Sequence, residues 1–179
     1  MLRRFMKKRV VIALSVVGVL AAAGGAYAYF TSTGSTTGTA SVGTAGSWGV
    51  SDSTAAASLY PGAGSESIQG TVTNGGNGHQ QLNTITVTIN APTVASGAPT
   101  VAGHACSASD FALSSASGSG WTVASDGLSA TYQPNTDLAS GGTFAFGGAG
   151  HALTLSMIDQ AYDQGNCEGA TANYTEAAS

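Results

Sequence analysis

The chain has 179 residues, 42% of them hydrophobic and only 8% charged, with five Lys or Arg against nine Asp or Glu. All five cations, Arg3, Arg4, Lys7, Lys8 and Arg9, lie in the first nine positions, so residues 29–179 carry none. A body without cations cannot displace phosphate counterions or dock on anionic lipid, which excludes nucleic acid as a partner and limits membrane contact to the N-terminal segment.

Directly after the cations runs an apolar stretch, Val10 to Ala23, closed by Gly24, Gly25 and Ala26-Tyr27-Ala28. A basic head, an apolar run and a small-x-small ending make an export signal, expected as a signal helix over residues 1–28 with cleavage between Ala28 and Tyr29. An uncleaved anchor is the rival reading, since a membrane helix needs about 20 apolar residues and Val10 to Ala28 approaches that length. Arg3-Arg4-Phe5 hints at a twin-arginine signal, but Lys7, Lys8 and Arg9 crowd the apolar run, and the general secretory route is expected. No Cys ends the run for lipid attachment.

Residues 29–45 are rich in Ser, Thr and Gly and too poor in bulky apolar groups to bury themselves. They are expected to be a linker or a strand waiting for a partner. Residues 46–179 then form one domain. Period-two alternation marks Ser67 to Thr73 and Leu82 to Ile89 as strands with one face in a core. Between them Asn74, Gly75, Gly76, Asn77 and Gly78 read as the turn of a hairpin. Further strands are expected at Ser47–Val50, Trp121–Val123, Ser129–Gln133, Thr143–Phe146, Ala152–Met157 and Ala170–Tyr174, with loops over Thr93–Gly103 and Ser114–Gly120 and one helical turn near Ala161. Short strands with no convincing helix predict an all-β, antiparallel β-sandwich.

Cys106 and Cys167 are the two cysteines. In an exported chain an even count reads as a disulfide between them, in the chain-entropy account about 4 kcal/mol of stabilisation.

At Leu59-Tyr60-Pro61-Gly62, a turn launching the strand Ser67 to Thr73, and at Ala28-Tyr29-Phe30, which is similar to the cut in substrates of SipW-type signal peptidases, the chain resembles the TasA and camelysin family of exported bacterial proteins. Cys106-Ser107-Ala108-Ser109-Asp110-Phe111 and Asn166-Cys167-Glu168-Gly169-Ala170-Thr171 further resemble small secreted proteins of actinobacteria with the same plan. The resemblance implies an immunoglobulin-like sandwich at the cell surface or in the extracellular matrix or biofilm. It also implies fibre assembly in which one subunit lends a strand to the next, here residues 29–45. The missing lysines, shorter length and cysteine pair depart from the better-known members.

Chemistry is harder to find. A helical zinc site needs two His four apart with a Glu between, whereas His79, His104 and His151 are widely separated. No Ser-His-Asp triad stands out among so many serines, and no catalytic residue, metal or cofactor is assigned. Asp159, Asp163, Asn166 and Glu168 offer oxygens suited to calcium without the periodicity of a calcium loop; solvated acids are the plainer reading. Trp48, Trp121, Tyr132, Phe144 and Phe146 are either a sugar-stacking platform or core packing. The strand Leu82 to Ile89 lacks the Lys, Pro or inward charge that guards a sheet edge, which favours self-association. The expectation is therefore a secreted, non-enzymatic surface or matrix structural protein, with strand addition as its route to self-assembly. A secreted glycan- or protein-binding domain is the alternative, and a metallopeptidase the third reading.

Overall fold

A computed structural model describes residues 45–179. The signal segment with its Ala28–Tyr29 junction, and all of the segment 29–45 except its last residue, lie outside the described residues. In chain order the strands are β1 (Trp48–Asp52), β2 (Glu66–Ile68), β3 (Gly70–Asn74), β4 (Gln80–Leu82), β5 (Ile85–Thr93), β6 (Phe111–Ser115), β7 (Trp121–Val123), β8 (Ser129–Tyr132), β9 (Thr136–Leu138), β10 (Thr143–Phe146), β11 (Leu153–Met157) and β12 (Thr171–Ala178). Two 3-10 turns, Ala108–Asp110 and Gly165–Cys167, are the helical elements among the described residues.

Every named strand pairing is antiparallel. One set of ladders runs β1-β3-β10 and β2-β11-β6. Only Gln69 separates β2 from β3, and β10 and β11 follow them in the same sense, Phe146 opposite Gly70 and Leu153 opposite Ile68. The two ladders therefore act as one face. The chain between β10 and β11 turns at Gly147, whose φ of +79° suits glycine and where a Cβ would collide with the Ile68 carbonyl. The other set runs β12-β5-β8-β7, prolonged by β4-β9. The result is an all-β, β-sandwich-like fold.

Period-two patterning explains which face is inside. In β5, Ile85, Val87 and Ile89 are buried while Thr88 is exposed; in β11, Leu153, Leu155 and Met157 are buried. These meet Ile68, Val72, Leu82, Phe111, Leu113, Trp121, Ala130 and Phe146 in one cluster. Each large apolar side chain removed from water contributes about 1.5–3 kcal/mol, and with no Lys or Arg in these residues burial is the main stabilising term.

Several expectations are corrected. The hairpin across Asn74 to Gly78 does not form: β3 pairs with β1 and β10, β4 with β9, and β5 with β12 and β8. The glycines there are not used for positive φ. Gly75 and Gly76 lack a Cβ because Ser47 and Gly46 pass against their backbones, so the segment is a crossover between ladders. The run Leu82 to Ile89 breaks at Asn83 and Thr84, whose N–H groups both donate to the Ser179 carbonyl. Nor is it an edge: β5 lies between β12 and β8. The helical turn falls at Gly165–Cys167 rather than near Ala161, and β6 begins before the expected loop from Ser114. Trp121–Val123 and Thr143–Phe146 are strands with the expected bounds, and Thr93–Gly103 is irregular after β5 ends.

Candidate functional site

The chemistry-bearing residues gather at one end of the fold, where the Cys106–Cys167 disulfide closes a sequence separation of 61 residues with Cα atoms 5.0 Å apart. Beside it the 3-10 turn delivers Asp110, which is fully buried. A buried carboxylate without a counter-ion must be satisfied by donors. Ser107 supplies its backbone N–H at 2.8 Å and its hydroxyl at 3.1 Å, both to Oδ2. Tyr162 donates to Oδ1 at 2.9 Å and Gln164 at 3.1 Å. His104 Nε2 stands 3.3 Å from both oxygens, its ring against that of Tyr162 at 3.9 Å between centroids. Burial pushes the Asp110 carboxyl up, but the donors from Ser107, Tyr162, Gln164 and His104 outweigh it and hold the group below its ordinary value. The same environment raises the Tyr162 phenol, through desolvation and then its bond to Asp110. Asp110 is thus an anionic knot that ties the disulfide loop to the segment leading into β12. All its lone-pair directions are occupied, so the arrangement holds structure and has no free base to offer a substrate.

Outside this knot lies an open groove of about 960 Å³. Tyr60, Tyr162 and Tyr174 line it, together with the carboxylates of Asp52, Glu66, Asp159, Asp163 and Glu168. Tyr60 and Tyr162 are 62% and 38% exposed, which leaves their rings available to a ligand. Tyr60 is presented by the Leu59-Tyr60-Pro61-Gly62 turn, where Tyr60 and Ala63 exchange backbone hydrogen bonds of 2.9 and 3.0 Å and Gly62 takes a φ of +67°. At the other end, Tyr174 on β12 donates to Asp52 Oδ2 at 2.9 Å, bridging β12 to the end of β1. Burial pushes Asp52 up, yet the bonds from Thr54 and Tyr174 win and hold it below the usual carboxylate range. The Tyr174 phenol is pushed up to about 12, by desolvation first and then by Asp52 and Glu66. Glu66 accepts from the Ala57 N–H at 3.0 Å, fixing the strand that borders the groove.

Next to this seam Glu176 projects from the same face of β12 as Tyr174. Desolvation, with Asp52 adding like charge, pushes its carboxyl up to about 7. Its Oε1 is buried and has no hydrogen-bond partner among the described residues.

The residues singled out from the sequence are dispersed by the fold. His79 pairs with Asp137 at 2.7 Å on the surface. His151 sits 3.1 Å from the Ser119 carbonyl, and His104 belongs to the Asp110 knot. The one cluster of potential metal ligands among the described residues is Cys106, Asp110 and Cys167, whose sulfurs are joined to each other. Asp163 caps the Gly165 N–H at 2.8 Å, and Asn166 is spent on Val101 and His104 backbone groups. Asp159, Asp163 and Glu168 all reach the groove as exposed acids. Of the five aromatics considered as a sugar platform, Trp121 and Phe146 are buried and pack on each other, with Tyr132 and Phe144 stacked beside them. Those residues pack the core and form no exposed platform. Asp110, Tyr60, Tyr162 and Glu176 drew no functional reading from the sequence alone. The one local sign was the Ser107-x-x-Asp110 spacing, a capping pattern.

Fold and site together define a disulfide-bonded, β-sandwich-like domain with an acidic, tyrosine-lined groove. No family model matches the chain, and no significant match was found among curated proteins or solved structures.

Proposed function

We propose that this chain is an exported, non-enzymatic protein of the cell surface or extracellular matrix, and that its groove binds amine-bearing matrix components. The observation that carries this is the groove itself: five carboxylates and three tyrosines in one concavity, with no Lys or Arg anywhere in residues 45–179 to neutralise them. The missing positive charge must come from the ligand, and tyrosine faces add attraction for ammonium groups. The basic head and apolar run of residues 1–28 support export, and a disulfide is compatible with an oxidising compartment. The antiparallel all-β fold and the turn at Tyr60 support kinship with the TasA and camelysin family, and the order β1, β2/β3, β10/β11, β6 supports an immunoglobulin-like sheet.

The test is calorimetric titration of the secreted protein with tetralysine and with a glucosamine tetramer, against its N-acetylated counterpart. Saturable binding of an amine-bearing probe, lost on acetylation, in Asp159→Asn/Asp163→Asn and in high salt, is expected. No saturable binding of either amine overturns the reading.

A second reading, self-assembly by strand addition, is favoured by β12. It is bonded to β5 along one side only, and its eight residues contain no Lys or Pro, Glu176 being its one inward-facing charged group. Here residues 29–45 act as the lent strand. Light scattering of protein recovered from culture medium is expected to show particles larger than one chain, abolished by deleting residues 29–45. Unchanged particles after the deletion overturn it.

A further inference from the structure

Glu176 is a half-buried acid whose environment, among the described residues, lacks an answering group. It lies on the partly buried face of β12 with Ala172, Tyr174 and Ala178, while Thr175 and Ala177 face out. Its Oε2 fills the space opposite Gly70, where a Cβ would stand 3.0 Å from that oxygen and would also strike the Phe146 ring. Gly70 in turn is register partner to both Asp52 on β1 and Phe146 on β10. Thus a carboxyl from one sheet is inserted against the other at the point where β1 and β12 approach.

The groups around it are all acids, phenols or neutral. Asp52 comes from β1 and Tyr174 from β12, with Glu66 on β2 acting on Tyr174. β3 and β10 contribute Gly70 and Phe146, and β5 contributes Val87 opposite Glu176. The three histidines are engaged elsewhere, with Asp137, Asp110 and Ser119. Residues 45–179 hold no Lys or Arg that could approach it. Tyr174 ties β12 to the end of β1 here through its hydrogen bond to Asp52.

We propose that Glu176 is a proton-operated latch on the β1–β12 seam: protonated, it lies between the sheets against Gly70 and Phe146; ionised, it is expelled and the seam opens. An ionised carboxylate with a buried, unmatched oxygen beside Asp52 is unstable where it sits, and outward movement of β12 is the nearest route to water. The position of its titration, pushed up to about 7, places the transition near neutral pH. The latch does not depend on what the groove binds, although Asp52 and Tyr174 at the groove end move with it.

Hydrogen exchange of the secreted protein followed by mass spectrometry at pH 6 and pH 8 tests this, with rates corrected for intrinsic chemistry. Peptides spanning residues 48–54 and 171–179 are expected to exchange about tenfold faster at pH 8, with residues 111–115 unchanged. In Glu176→Gln the pH response disappears. Asp52→Asn, which removes the neighbouring like charge that helps raise Glu176, is expected to shift the response to lower pH while keeping the fold, and serves where Glu176→Gln fails to fold. A Glu176→Gln profile identical to the wild type, an acceleration shared equally by residues 111–115, or a response unmoved by Asp52→Asn overturns the latch.

Discussion

Tyr162 donates its phenolic hydrogen to Asp110 Oδ1 at 2.9 Å across 52 positions of sequence. Through that bond the segment entering β12 is tied to the loop entering β6. Removing the acceptor leaves Tyr162, Gln164, His104 and Ser107 donors facing a void. Asp110→Ala is expected to lower the unfolding free energy by about 3 kcal/mol, read from urea denaturation. Because Asp110 titrates below its ordinary 3.8 in the folded chain, its contribution is fully present above that value and is lost as pH falls through the lowered one. The acid limb of the wild-type stability profile is expected to flatten in Asp110→Ala.

The Cys106–Cys167 bridge spans 61 residues. In the chain-entropy account its loss releases about 4 kcal/mol of constraint on the unfolded chain. Cys106→Ala/Cys167→Ala is therefore expected to lower the urea midpoint with little change in the far-ultraviolet spectrum of the folded state. A midpoint equal to that of the wild type contradicts this.

Glu176 gives a pH dependence of opposite sense to Asp110. Its folded value is raised from 4.5 to about 7, so the folded chain holds an extra proton between those limits and stability falls as pH rises through them. Full burial of such a group would correspond to about 3 kcal/mol; it is only half-buried, and solvent screening reduces this to about 1–2 kcal/mol. Glu176→Gln is expected to be more stable than the wild type at pH 8 and indistinguishable at pH 4, by thermal melts across that range.

Asn74 is 1% exposed. Its amide donates to the carbonyls of Leu138, Gly78 and Ala139 at 2.7, 2.8 and 3.1 Å and accepts from the Gly76 N–H at 2.8 Å. One side chain thus replaces the ladder that a hairpin would have formed there. Asn74→Ala is expected to destabilise by about 2–4 kcal/mol, and Asn74→Asp by a similar amount, because the carboxylate cannot donate.

Strands whose inward residues repeat every second position were legible: Ile85, Val87 and Ile89, or Leu153 and Leu155, announce a core face before any partner is known. β6 was not, because Phe111-Ala112-Leu113-Ser114-Ser115 gives only two large inward groups. The turn at Asn74 misled because a glycine cluster reads the same whether its glycines supply positive φ or a close backbone approach. The site was the least legible part. Ser107 and Asp110 are three apart, but Tyr162, Gln164 and Cys167 join them only when the loop closes, and Glu176 reads as one of nine scattered acids until Gly70 is found opposite it.

By itself the sequence determined the β class and the absence of any Lys or Arg after the first nine residues, because composition and period-two patterning are local properties. The tertiary structure decided strand partners, the corrected edge, the Asp110 knot and the acidic groove. Each of these depends on contacts between residues tens of positions apart, where burial energy is shared over the whole core and no local signal records which neighbour wins.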